Sequence, residues 1–184
     1  MTTYTLVKWT VEDYHRMIDA GILDDRHVEL IAGEIIQMSP EGSFHRFLNH
    51  RGVKYLRSIL ANKAEVMEAH PITLLDSEPE PDITIVRTPD TLYLNRHPYA
   101  KDIYWIIEIA DSTLKKYLID KKTLYAKFDI PEYWVIDINN KILYVFQNPQ
   151  ESDYTITKTY QEGKISPLAF PKAEIDVKKL IALE

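Results

Sequence analysis

Apolar residues recur along this chain with two periods, and the switches between them mark its elements. VEDYHRMIDA, residues 11–20, has helical spacing, and Thr10 followed by Asp13 supplies the N-cap and N3 acid that open such a helix. HVELIAGEIIQM then reads as a tight hairpin: Val28 to Ile31, a turn at Ala32-Gly33, and Glu34 to Met38. Glu29 and Glu34 flank that turn and are expected to face solvent. A loop marked by Pro40, Gly42 and Ser43 leads into SFHRFLNHRGVKYLRSILANK, where Phe44, Leu48, Tyr55, Leu56, Ile59 and Leu60 hold a helical period across Gly52. EVMEAHPITLLD predicts a strand interrupted by Pro71, near a sheet edge. SEPEPD connects to a strand from Ile83 to Val86, and residues 87–101 read as a surface loop.

The pattern is most informative in DIYWIIEIADSTLKKYLIDKKTLYAKF, residues 102–128. Ile103 to Ile109 is an almost continuous apolar run, the signature of a strand covered on both faces, yet Glu108 lies inside it. The helix that follows sets Leu114, Tyr117, Leu118, Leu124, Tyr125 and Phe128 on one face. At about 100° per residue, Lys121 falls on that same face, between Tyr117 and Tyr125. A charge placed there costs several kcal/mol, in order of magnitude, unless it is paired. Beyond the break at Ile130-Pro131, YWVIDI and KILYVFQ form a hairpin about Asn139-Asn140. A strand from Tyr154 to Tyr160, a turn at Gly163 and a short helix from Val177 to Leu183 complete the chain. Helices and strands in this order predict an α/β architecture, α+β-like, with a mixed sheet flanked by helices.

Composition narrows the chemistry. With 184 residues the chain suits one domain with its own core. No apolar run approaches the ~20 residues that span a bilayer, and the first residues lack a signal-peptide pattern, so no membrane association is expected. There is no cysteine, which removes disulfides, thiolate nucleophiles and cysteine-based metal centres and fits a cytoplasmic location. A net charge of −6 disfavours a protein that coats nucleic acid nonspecifically. The five glycines form no phosphate-binding or dinucleotide motif, and no serine nucleophile elbow is present.

Carboxylate chemistry remains. Asp82, just after Pro81, sits at the mouth of one strand, and Glu108 lies within another. Two hard oxygen ligands so placed suit Mg2+ or Mn2+, with Lys121 available to orient a water or neutralise a phosphate. The same residues also admit a structural reading, with Asp82 capping a turn and Glu108 and Lys121 forming an ion pair. His45, at the start of the second helix, reads as a polar cap or an additional site residue. Lys115, Lys116, Lys122 and Lys127 read as a solvated helix face, and Trp105, Tyr133 and Trp134 as core aromatics.

Taken together, SEPEPDITIV, IIEIADST, a lysine four residues before Tyr-Ala, and DIPEYWVID resemble the Uma-two family of endonucleases. WTVEDY, VELIAGEII and the helix beginning near His45 extend the likeness over nearly the whole chain. The resemblance implies one PD-(D/E)XK restriction-endonuclease-like domain over residues 1–184. It also implies Mg2+- or Mn2+-dependent hydrolysis of phosphodiester bonds, a DNA substrate and a homodimer. It casts Asp82 and Glu108 as metal ligands and catalytic acids, and matches His45 to a recurrent histidine. The lysine two residues beyond the second acid is replaced here by Ala110. Lys121 matches the helix lysine that stands in for it, by its spacing from Thr113 and Tyr125. Where the family often has an aspartate after Ser-Thr, this chain has Lys116 and Tyr117. Two rival readings stay open: a nucleic-acid-binding protein of the same fold without catalysis, and a structural or partner-binding protein.

Overall fold

The computed structural model describes residues 5–112 and 114–181. Thr113 and the expected last turn of the C-terminal helix, residues 182 and 183, lie outside the described residues.

Helix α1 (Val11–Asp19) opens on the anticipated capping box: the Thr10 hydroxyl accepts from the Asp13 amide, and the Asp13 carboxylate accepts from the Thr10 amide. Strands β1 (Val28–Ile31) and β2 (Glu34–Gln37) pair antiparallel as a separate hairpin. Both turn residues have positive φ, 48° at Ala32 and 75° at Gly33, as a two-residue hairpin turn demands. Gly33 has a second reason to be glycine, since a Cβ there would lie 2.9 Å from Lys8 Cβ.

Helix α2 (Ser43–Leu60) leads to a six-stranded sheet in the order β3-β4-β5-β6-β7-β8. Its strands are β3 (Glu65–Glu68), β4 (Ile83–Val86), β5 (Ile103–Ala110), β6 (Glu132–Asp137), β7 (Ile142–Gln150) and β8 (Asp153–Tyr160). Only β5 and β6 run parallel. They are joined by a crossover helix, the connection a parallel pair requires. That helix consists of α3 (Leu114–Lys116), a π turn (Tyr117–Lys121) and α4 (Lys122–Lys127). A short β9–β10 pair (Lys164–Ile165, Ile175–Asp176) precedes α5 (Val177–Ile181).

Period-2 alternation along the strands sends their side chains into two cores. On one face Ile83, Ile85, Trp105, Ile107, Ile109, Trp134 and Ile136 pack under α2 and α5 through Leu48, Leu56, Leu60 and Leu180. Gly52 lets α2 approach closely, because a Cβ there would stand 3.3 Å from Ile83 Cδ1. On the other face Ile106, Ala110, Tyr133, Val135 and Phe146 pack under the crossover helix through Leu124, Tyr125 and Ala126. Trp105, Tyr133 and Trp134 are fully buried, as their pattern predicted.

Several elements depart from expectation for local reasons. EVMEAHPITLLD is a strand only through Glu68; Ala69 turns the chain at φ 48°, and Pro71 has no N–H to continue a ladder. As anticipated, β3 is an edge strand. Residues 87–101 contain the 3-10 turn Asp90–Tyr93 and most of a second, Ala100–Asp102. Strand β7 runs through Pro149, which is tolerated because pairing with β6 begins only at Glu132↔Gln147. Among the described residues no helix is long and apolar enough to cross a membrane.

Candidate active site

Strands β4 and β5 pair with Ile83 opposite Ile107. Continuing that antiparallel register by one residue brings Asp82 opposite Glu108, on the sheet face covered by the crossover helix. Pro81 biases the residue before it, Glu80, toward extended backbone and so carries the SEPEP segment straight into β4. The Asp82 amide lies 3.4 Å from Glu108 Oε2, while Asp82 Oδ2 accepts from the Ile109 amide at 2.6 Å. Glu108 Oε1 accepts from the Tyr125 hydroxyl at 2.7 Å. Burial, with the Asp82 charge beside it, outweighs the nearby Lys121 and pushes the Glu108 carboxyl up to about 8.

His45 projects from the first turn of α2. Its Nε2 is 2.8 Å from the Ile109 carbonyl and 3.2 Å from Asp82 Oδ2, and its Nδ1 is 2.8 Å from Glu41 Oε1. Burial disfavours its charge, but hydrogen bonds to Asp82 and Glu41 outweigh that and raise its pKa to about 9. In the protonated ring both nitrogens donate, Nε2–H toward the two strand-end oxygens and Nδ1–H to Glu41.

Lys121 closes the π turn and is buried on the helix face the periodicity indicated. π turns interrupt α-helices frequently at functional positions. Its Nζ stands 3.9 Å from Glu108 Oε1, but its closer partner is Glu29 Oε2 at 2.5 Å. This corrects the hairpin reading: Glu29 is 1% exposed, not solvent-facing. The alternation misled because β1 is covered on both sides. Leu30 packs with Tyr14 and Leu23, while Glu29 turns toward the crossover helix. Glu34 is exposed as expected and pairs with Lys8. Lys116 also departs from the solvated-face reading, since its ammonium reaches Glu29 Oε1 at 3.1 Å. Burial alone would raise the Glu29 carboxyl; Lys121 and Lys116 reverse that and hold it below its ordinary value.

Asp82, Glu108, Lys121 and His45 thus come together around one cavity of about 270 Å³, which Glu29, Glu41, Lys116 and Tyr117 also line. Glu29 was missed although its signal was present: an ammonium on a core-facing helix position requires a carboxylate from some other element. Asp82 and Glu108 offer carboxylate oxygens to that cavity, the type of donor that hard divalent cations take.

The family model described as "Putative restriction endonuclease", Uma2, matches residues 11–178. The chain belongs to the Uma2 family. The Uma2 fold also has a counterpart among solved structures, a "putative nuclease belonging to DUF820" from Anabaena variabilis. The two superpose with a TM-score of 0.68 at 20% sequence identity, over 84% of this chain and 89% of that one, so the likeness is one of fold. No curated protein matches the sequence. This Uma2 chain therefore carries the restriction-endonuclease-like core, a mixed sheet flanked by helices, with the four residues singled out in its sequence gathered at the ends of two central strands.

Proposed function

We propose that this Uma2 protein is a divalent-metal-dependent endonuclease that hydrolyses phosphodiester bonds of DNA, with Asp82 and Glu108 holding Mg2+ or Mn2+. The observation that carries the proposal is the pairing of Asp82 and Glu108 across β4 and β5, in a cavity that also receives the Lys121 ammonium. The donor set fits the ion: a buried carboxylate, Glu108, and a part-buried one, Asp82, repel each other, and a dication removes that repulsion. When bound, the cation supplies Lewis acidity and a water of lowered pKa.

The chain's own residues do the remaining work. Tyr125 orients the Glu108 carboxylate through its hydroxyl, and the Ile109 amide fixes that of Asp82. Lys121, anchored by Glu29, offers an ammonium beside Glu108 that orients the attacking water or offsets charge on the scissile phosphate. His45 bridges Asp82 and the Ile109 carbonyl of β5, and Lys116, part-exposed on the cavity wall, offers a cation to the DNA backbone. A homodimer would let two such sites cut both strands of a duplex.

Plasmid nicking in Mg2+ and in Mn2+ tests the proposal with wild type, Asp82→Asn and Glu108→Gln. Wild type is expected to cleave only with metal, and each substitution to lower the rate by at least about 10²-fold, the scale on which removal of one electrostatic catalytic group is felt. Cleavage that survives both substitutions rejects the assignment. Binding of DNA by wild type without cleavage in either metal identifies a catalytically silent member of the fold.

A further inference from the structure

A second group of metal-ligating side chains lies apart from the Asp82–Glu108 cavity. His15 on α1, Glu78 before β4 and His97 in the segment before β5 each offer one ligand atom, and these atoms all lie within 4.8 Å of one another. None of the three lines the Asp82–Glu108 cavity. His15 Nε2 stands 2.7 and 2.9 Å from the two Glu78 carboxylate oxygens, and His97 Nε2 is 4.0 Å from Glu78 Oε1.

We propose that His15, Glu78 and His97 form a binding site for Zn2+ or a cation of the same class, distinct from the nuclease centre. Two imidazole nitrogens and one carboxylate oxygen are a donor set for Zn2+, Co2+ or Ni2+, whereas Mg2+ prefers oxygen alone. Tetrahedral Zn2+ with bonds near 2.0–2.1 Å separates its ligand atoms by about 3.3–3.5 Å, which falls between the two sets of distances observed here. Small opposite movements of the two imidazoles satisfy it.

The carboxylate is already oriented as a ligand. The Glu78 side chain is 2% exposed, and its Oε2 accepts from the Thr73 hydroxyl at 2.8 Å, the kind of outer contact that fixes a ligating carboxylate. Backbone bonds hold the frame around it: the Glu78 amide donates to Leu30 and the Thr73 amide to Pro98, next to His97. The two imidazoles, each 43% exposed, border a cleft of about 540 Å³ that gives a cation an entry path and leaves a fourth position for water. A cation there ties α1 and the 97-loop to the segment that delivers Asp82 to the sheet, joining positions 63 residues apart in sequence.

The test uses the full chain, stripped with EDTA and dialysed. Zn2+ titration with metal analysis and thermal melts is run on wild type, His15→Gln, His97→Gln and the Asp82→Asn/Glu108→Gln double variant. Wild type and the double variant are expected to retain one tight Zn2+ with a rise in Tm of roughly 5–10 °C at saturation. Each histidine variant should lose both effects, and Mg2+ should produce neither in the Asp82→Asn/Glu108→Gln double variant, which lacks the nuclease site. Because His15 and His97 are part-exposed, their variants should melt with wild type when metal-free. Co2+ in place of Zn2+ adds a visible absorption band that should vanish with either histidine. Zn2+ binding that persists in both histidine variants, or disappears in the Asp82/Glu108 double variant, overturns the proposal. So does wild type that binds no Zn2+, which would leave His15 and Glu78 a hydrogen-bonded pair only.

Discussion

Removing Glu29 tests the most consequential contact that the hairpin makes. In Glu29→Ala, Lys121, 4% exposed, loses an oxygen at 2.5 Å and keeps the Glu108 carboxylate at 3.9 Å and the Tyr125 ring at 6.0 Å. Breaking one side of a buried pair costs about 3–5 kcal/mol, because the remaining charge is left without compensation. For a chain of this length that is a fall in Tm of roughly 6–20 °C. Lys116 also loses a partner, but its part-exposed ammonium regains water and adds little. Replacing both members with apolar residues, Glu29→Leu with Lys121→Met, should recover most of the loss, since a well-packed apolar pair substitutes for a buried ion pair at little or no cost. Urea unfolding of the wild type, both single variants and the double variant completes the cycle, with stability read from Cm at constant m. The pH dependence has a definite sign. Lys121 and Lys116, against the effect of burial, hold the Glu29 carboxyl below its ordinary value of 4.5. Its stabilisation is therefore fully present above about pH 4.5 and lost as pH falls through the lower folded value. Hence the gap between wild type and Glu29→Ala should narrow on acidification. A cost below about 1 kcal/mol for Glu29→Ala at neutral pH would show that Lys121 is hydrated and would refute the buried pair.

Three further outcomes follow from the same geometry. Tyr125→Phe removes a buried hydrogen bond to Glu108 and should cost about 1.5–3 kcal/mol in denaturant unfolding while weakening Mn2+ binding by roughly 10–100-fold in calorimetry. Gly33→Ala forces an L side chain to φ 75° against Lys8 and should lower Tm through a loss of about 1–2 kcal/mol, and because the hairpin carries Glu29, nicking activity should fall with it. Ala110→Lys in a Lys121→Met background should fail to restore nicking and should be less stable than Lys121→Met alone, because position 110 is fully buried under the crossover helix.

Most of the fold was legible because it rests on local signals. The Thr10–Asp13 box, the Ala32-Gly33 turn and the apolar run of β5 each decide their own structure within a few residues. Asp82, Glu108 and Lys121 stood out for the converse reason: each is a polar group in a place its neighbours make apolar or extended. Glu29 and the His15–Glu78–His97 group did not, because nothing within a few residues of them is unusual. Glu29 sits in an alternating hairpin of a kind that normally faces water, and only tertiary packing buries it. His15 lies on an amphipathic helix, and its partners are far away in sequence. Spacing rules find metal ligands that share one helix or one loop, and these three share neither.

The position of the lysine explains why the N-terminal hairpin belongs to the site. Glu108 and Ala110 alternate onto the same face of β5, so a lysine at 110 would have to leave a core made by Tyr125, Ala126, Tyr133 and Val135 to reach the cavity. Small residues there let the crossover helix pack directly on the strand, and that helix then brings its own ammonium to Glu108 from above. Lys121 is buried, and Glu108 Oε1, 3.9 Å from its ammonium, lies beyond hydrogen-bond reach and leaves that charge without a close partner. A second carboxylate becomes necessary, and β1 supplies it. Moving the lysine from strand to helix thus makes the site depend on three elements, β5, the crossover helix and the hairpin, where a strand-borne lysine would need only one.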